Sequence, residues 1–131
     1  MNERIEQELQ LLRTHFPRLE YREEGRWVLL PEYLGPPSLW SSDKPDVSFQ
    51  ISASYPQKPY AFYVRRPFEL LGLEEGQSVQ NVAESSDPPF GGEWLKFSWD
   101  MPEWRAASDL QSGYNLLNWA LSFRKRLEEG A

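Results

Sequence analysis

The apolar residues of this chain keep a helical period at both ends and a two-residue period between them. That change of period constrains the fold more than any single motif does. At the N-terminal end Ile5, Leu9, Leu12 and Phe16 recur at spacings of four, three and four, so they share one helix face. Asn2 is placed to cap this helix, Glu3 sits in a first turn that favours an anion, and Pro17 ends the run. At the other end Ser108 and Gln111 form a capping box that opens a second helix. Leu110, Leu117, Leu121 and Arg124 follow one face of it, widened by Tyr114, Leu116, Ala120, Phe123 and Leu127. Gly113 inside it costs about 1 kcal/mol relative to alanine. Arg124, Lys125 and Arg126 complement the dipole of its last turns, and Gly130 is a stop signal.

Between the helices the pattern is that of strands and turns. Leu19–Arg22 and Arg26–Leu30 flank Glu23-Glu24-Gly25 and read as a hairpin. The stretch from Pro31 to Asp46 carries four prolines and reads as a long ordered loop pinned by Tyr33, Leu34, Leu39 and Trp40. From Val47 to Ala53 the residues alternate, with Ser48, Gln50 and Ser52 on the wet face of a strand. Tyr60–Arg65, aromatic and β-branched, is a second strand that pairs with it as a meander. Phe68–Leu73 fits a short helix or a turn. Glu74–Gly92 reads as loop with a short strand near Ser78–Val82, and Trp94–Trp99 as a short extended segment. The expected fold class is α+β: an N-terminal helix, a four-stranded antiparallel meander, a long irregular loop and a long C-terminal helix packed on the sheet.

With 131 residues, the expected organisation is a single domain spanning 1–131. The apolar share of 40% and the charged share of 26% are those of a globular chain, and 6 Trp, 6 Tyr and 7 Phe should dominate its core and any interface. A net charge of −6 argues against sequence-independent nucleic-acid binding, which depends on neutralising phosphates. No apolar run is long enough to span a bilayer and the first residues carry no signal-peptide core, so a cytoplasmic protein without membrane contact is expected.

The chain contains no cysteine, which removes disulfides, cysteine-ligated zinc, iron–sulfur clusters and thiol nucleophiles. His15 is the single histidine, so triad and histidine–metal chemistry have little to draw on. Phe90-Gly91-Gly92-Glu93 lacks the lysine of a phosphate loop, and no serine sits in a Gly-x-Ser-x-Gly elbow. The doublets Glu23-Glu24, Glu74-Glu75 and Glu128-Glu129 are sequence neighbours that do not face each other. No metal and no cofactor is expected.

One arrangement is more specific. Tyr55-Pro56-Gln57-Lys58-Pro59 sits between two strands of a meander that follows an amphipathic helix. It resembles the Tyr-Pro-x-x-Pro-Pro turn of the ubiquitin-conjugating-enzyme superfamily, in its divergent prokaryotic branch. Gly92-Glu93-Trp94-Leu95-Lys96 stands where the family has a glycine shortly before its catalytic Ile-Cys-Leu. Trp104 stands where it has Trp-x-Pro, and Ser108-Asp109-Leu110 where the next helix opens. The departures are Tyr60 in place of the second proline, no His-Pro-Asn triplet between Val64 and Gly92, and no cysteine near Leu95 or Lys96.

The resemblance implies a non-catalytic binding or adaptor component of a bacterial ubiquitin-like conjugation pathway. Its partners would be a ubiquitin-like protein and an activating-enzyme-like protein. Partner-contacting candidates are Arg4, Gln7 and Glu8 on the exposed face of the first helix, the wet sheet face, and Trp99, Met101 and Trp104. Two alternatives stand beside it. One is a conjugating enzyme whose nucleophile has been replaced near Lys96, with lysine able to accept only a dead-end isopeptide. The other is an unrelated small α+β protein-binding or immunity-type domain whose acidic surface suits a basic partner.

Overall fold

The structure, a computed structural model, describes residues 3–53, 55, 59–99, 104–105 and 113–130. Helix α1 spans Glu3–His15 and turns Ile5, Leu9 and Leu12 inward, as the spacing requires. The hairpin follows: β1 (Glu20–Arg22) and β2 (Trp27–Leu30), joined through a single 3-10 turn at Glu24–Arg26. Gly25 holds φ at 75° in that turn, and a Cβ there would stand 2.9 Å from the Trp27 ring. Strands β3 (Val47–Gln50) and β4 (Phe62–Arg65) continue the meander.

The chain then makes an excursion before β5 (Val82–Ser85) and β6 (Trp94–Phe97). The sheet has six strands, not four, all antiparallel, in the order β1-β2-β3-β4-β6-β5. The stretch expected as loop with a short strand near Ser78–Val82 supplies β5, which begins where that strand was expected to end, and the weakly alternating Trp94–Phe97 becomes an interior strand between β4 and β5. Phe68–Leu73 is no helix: Leu70 forms an isolated bridge with Trp40, and the Trp40 and Phe68 rings stack at 4.5 Å.

The last helix is shorter than its sequence pattern. Gly113, Tyr114 and Asn115 are not helical, and α2 spans Leu116–Glu129. The capping box is formed by Asn115 and Asn118, whose side chains accept from each other's backbone N–H. Gly113 therefore stands outside the helix and costs it nothing. Asn2, Ser108, Leu110 and Gln111 lie outside the described residues. The buried stripe runs through Leu116, Trp119, Ala120, Phe123 and Leu127, while Leu121 is exposed. Gly130, at φ 72°, ends the helix as expected.

One face of the sheet carries the main core. Val28, Leu30, Val47, Phe49, Phe62, Val64 and Phe97 meet α1 and α2, with Phe62 stacked between Phe97 and Phe123. The opposite, outer face is not simply wet. Trp27, Leu29, Tyr63 and Trp94 form a second buried cluster there, covered by Phe90. Ser48, expected on the wet face, is buried in the same row, its hydroxyl donating to the Val28 carbonyl at 2.8 Å.

Candidate functional site

Strand pairing explains where this molecule opens. β2 and β3 pair over four rows, and so do β4 and β6, whereas β3 and β4 pair over only two, Val47 with Val64 and Ser48 with Tyr63. Beyond Ser48 the two strands part. Gln50 stays with β2 opposite Trp27, while Phe62 stays with β6 opposite Phe97. The split opens a cleft of about 650 Å³ on the outer face. Gln50 to Ala53 line one wall, Pro59, Tyr60 and Ala61 the other, and Glu23 and Arg26 close an end. Lys96 and Tyr63 form part of its lining, with the ammonium 5.9 Å from the tyrosine ring. Tyr60 is 64% exposed at the rim.

A second groove lies on the helix side of the same strand. One part, of about 380 Å³, is lined by Trp40, Phe68, Leu70, Leu73, Val79, Val82 and Leu95. A second part, of about 440 Å³, shares Phe68, Glu69 and Leu95 with it and reaches Arg66 and Glu93. Leu95 belongs to the row Leu30–Val47–Val64–Leu95–Glu84, and Lys96 to the row Glu20–Leu29–Ser48–Tyr63–Lys96–Ala83. Adjacent residues on a strand face opposite ways. Leu95 and Lys96 thus line clefts on opposite sides of β6.

The loop over the outer face is tied down by Arg65. Its guanidinium donates to Asp46 Oδ2 at 3.0 Å and to the Gly91 carbonyl at 2.5 Å, and lies 4.4 Å from the Trp94 ring. Trp94 Nε1 also donates to Gly91. Burial, then the charge and hydrogen bond of Asp87, raise the Tyr63 hydroxyl above its ordinary pKa.

The first-helix patch is not an exposed surface. Gln7 is exposed, but Glu8 is fully buried and Arg4 largely so. Glu8 Oε2 accepts from Arg4 Nε at 2.9 Å and from the Tyr55 hydroxyl, while Oε1 accepts from the Leu116 backbone N–H at 2.8 Å. Leu116 is the first residue of α2, so a carboxylate from α1 occupies an orphan donor at the positive end of α2. Burial works against the Arg4 charge, but the hydrogen bond and charge of Glu8 outweigh it, and its pKa is raised. Tyr55 is raised too, first by burial and then by Glu8. A signal for this was present: position 8 lies three residues after Ile5 and four before Leu12, on the inward face.

Tyr55 thus reaches α1 directly and α2 through Glu8, and Pro59 is buried; Pro56 lies outside the described residues. Trp104 packs edge-on to Tyr55 at 6.2 Å and stacks on Tyr114 at 5.8 Å. Trp99 donates from Nε1 to Ser122 Oγ at 2.9 Å. Both tryptophans are half-buried against the core; Met101 lies outside the described residues.

Charge is unevenly placed. Between Pro67 and Leu95 there are six carboxylates, Glu69, Glu74, Glu75, Glu84, Asp87 and Glu93, and no Lys or Arg. The other 14 carboxylates balance the 14 Lys and Arg, so this one segment carries the whole net charge of −6. All six are exposed; Glu84 and Glu93 share Arg66. Among the described residues no group of three or more His, Asp and Glu side chains could hold a metal ion, and no helix is long and apolar enough to cross a membrane. Comparison with known protein families, with curated proteins and with solved structures finds no match.

Proposed function

We propose that this chain is a non-catalytic protein-binding domain of the ubiquitin-conjugating-enzyme-like kind, an adaptor in a ubiquitin-like conjugation pathway. The observation that carries the reading is the setting of Leu95 and Lys96. The sequence resemblance sets them at the family's nucleophile, and they stand in a strand paired on both sides, each lining a cleft. Such a setting offers a docking surface on each face of the strand, and neither side chain can form a thioester. The order of helix, meander and capped helix, the Tyr55–Pro59 turn and Trp104 packed on Tyr55 support the family link.

The test combines binding with adduct detection. The chain is immobilised and exposed separately to a ubiquitin-like protein and to an activating-enzyme-like protein, then incubated with both and ATP. Reversible binding to at least one, with no reductant-resistant adduct by mass spectrometry, is expected. An adduct on Lys96, with thioester formation by Lys96→Cys, would instead favour the conjugating enzyme with a replaced nucleophile. Binding to neither protein would remove the pathway reading.

A further inference from the structure

We infer that the β5 edge and the apolar groove beside it receive an extended, basic segment of a partner protein, which adds to the sheet as a seventh strand. The inference is independent of the pathway reading, since it rests on an edge, a groove and a charge distribution.

The two edges of the sheet differ. β1 is three residues long and places Glu20 and Arg22 on the outer face, charges of the kind that blunt an edge. β5 is four residues long, with Glu84 as its single charge, and among the described residues no strand pairs with its outer side. An open edge of this kind offers backbone donors and acceptors to an incoming strand. Val82 and Glu84 point to the helix side, opposite Phe97 and Leu95. An added strand would therefore direct alternate side chains to the helix side, next to the groove of Leu73, Val79, Val82 and Leu95. Leu73 and Leu71 stand exposed at 37% and 52% near this groove, hydrophobic surface of the kind that marks an interaction site.

Charge selects among occupants. A second copy paired edge to edge would set Glu84 and its neighbouring carboxylates against their own copies, which is destabilising. Nucleic acid would meet the same six carboxylates. A strand with apolar residues toward the groove and Lys or Arg at its remaining positions fills the groove, while its positive charge is drawn by the net negative charge of the whole segment; Glu84 itself stays on the groove side beside Arg66.

The test uses a short fluorescein-labelled peptide alternating lysine and valine, read by fluorescence anisotropy against the full chain. Controls are the glutamate–valine counterpart and a lysine–valine peptide interrupted by prolines, which cannot supply strand hydrogen bonds. Binding is expected for the lysine–valine peptide alone and should weaken several-fold between about 0.05 and about 0.5 M salt. Leu73→Asp should lower affinity by about tenfold or more, the scale of losing one buried leucine. The surface variant Glu74→Lys/Glu75→Lys should lower it and flatten the salt dependence while leaving the circular dichroism unchanged. Equal binding of acidic and basic peptides, undiminished binding of the proline peptide, or no loss with either variant would overturn the inference. So would sedimentation of the free chain as a dimer that Leu73→Asp dissociates, which assigns the edge to a second copy. Peptide binding without binding to the ubiquitin-like and activating-enzyme-like proteins would retain this inference and remove the pathway reading.

Discussion

Glu8 shows what a single side chain contributes here. A buried carboxylate is costly unless every lone pair is used, and Glu8 uses its two oxygens on Arg4, Tyr55 and the first N–H of α2. It joins α1, the β3–β4 turn and α2 at one point. Glu8→Ala leaves the Arg4 guanidinium and the Leu116 N–H without this acceptor. It should lower the unfolding free energy by about 3–5 kcal/mol in urea titration, the range for breaking a buried ion pair. Glu8→Gln, which keeps the shape but loses the charge, should cost less. A Glu8→Ala midpoint within error of the parent would show that the three contacts do not hold the helices together. The residue was visible in the sequence as a position on the inward stripe, but its charge suggested solvent. Periodicity reports which way a position faces, and only the folded chain shows that three donors converge there.

At the scale of elements, α1, the β1–β2 hairpin and the β3–β4 meander were legible because each carries its own local signal: an apolar stripe, a glycine turn, a clean alternation. β5 was not. Val82-Ala83-Glu84-Ser85 has little strand character, and its conformation is set by pairing with Trp94–Phe97, residues that follow it by a loop. The start of α2 was misplaced for a related reason: Ser108 and Gln111 match a capping box in sequence, but Gly113 to Asn115 are not helical, and Asn115 with Asn118 caps α2. Leu95 and Lys96 were legible as neighbours in a short extended segment, and their opposite orientations follow from strand geometry. An element held by one neighbour should open more readily than one held by two. Hydrogen exchange should therefore be fast across Gly72–Ser78, slower in β5, and slowest in β2, β3 and β6. The amides of 72–78 should exchange about 100-fold or more faster than those of Val28–Leu30, because local opening costs far less than global unfolding. Protection of the β5 amides equal to that of Val28–Leu30 would contradict the one-sided pairing of β5.

For the whole molecule, the aromatic content governs its response to alkali. Burial raises Tyr33 and Tyr55 well above the ordinary tyrosine pKa, and it raises Tyr21 and Tyr63 as well. In the unfolded chain these hydroxyls lose their protons near pH ~10, while the folded chain retains them. Above that pH the unfolded state binds fewer protons, so stability falls as pH rises; below it these four groups contribute no slope. Urea midpoints measured from pH 8 to pH 11 should be level at first and then decline. Tyr55→Phe and Tyr33→Phe should each flatten the decline, since phenylalanine has no proton to lose. A midpoint that stays level to the top of that range would show that the buried hydroxyls titrate as freely as exposed ones.

The Arg66 N–H donates to the Glu93 carbonyl at 2.8 Å, directly after the Arg65–Trp94 pair. The 26 residues between Arg66 and Glu93 therefore leave the sheet and return to the point of departure. In architectural terms they are an inserted cassette. A tight turn in their place would join β4 to β6 as an ordinary hairpin and close a five-stranded meander without a crossover. That cassette holds β5, much of the apolar groove and all but one of the carboxylates responsible for the net charge. The cassette is anchored to the scaffold by the Phe68 ring, buried against Trp40 and Phe97, and by the Gln80 carbonyl, which accepts from Arg126 of α2. A different cassette grafted between Arg66 and Glu93 could change what this sheet binds while leaving the helices and their buried glutamate in place.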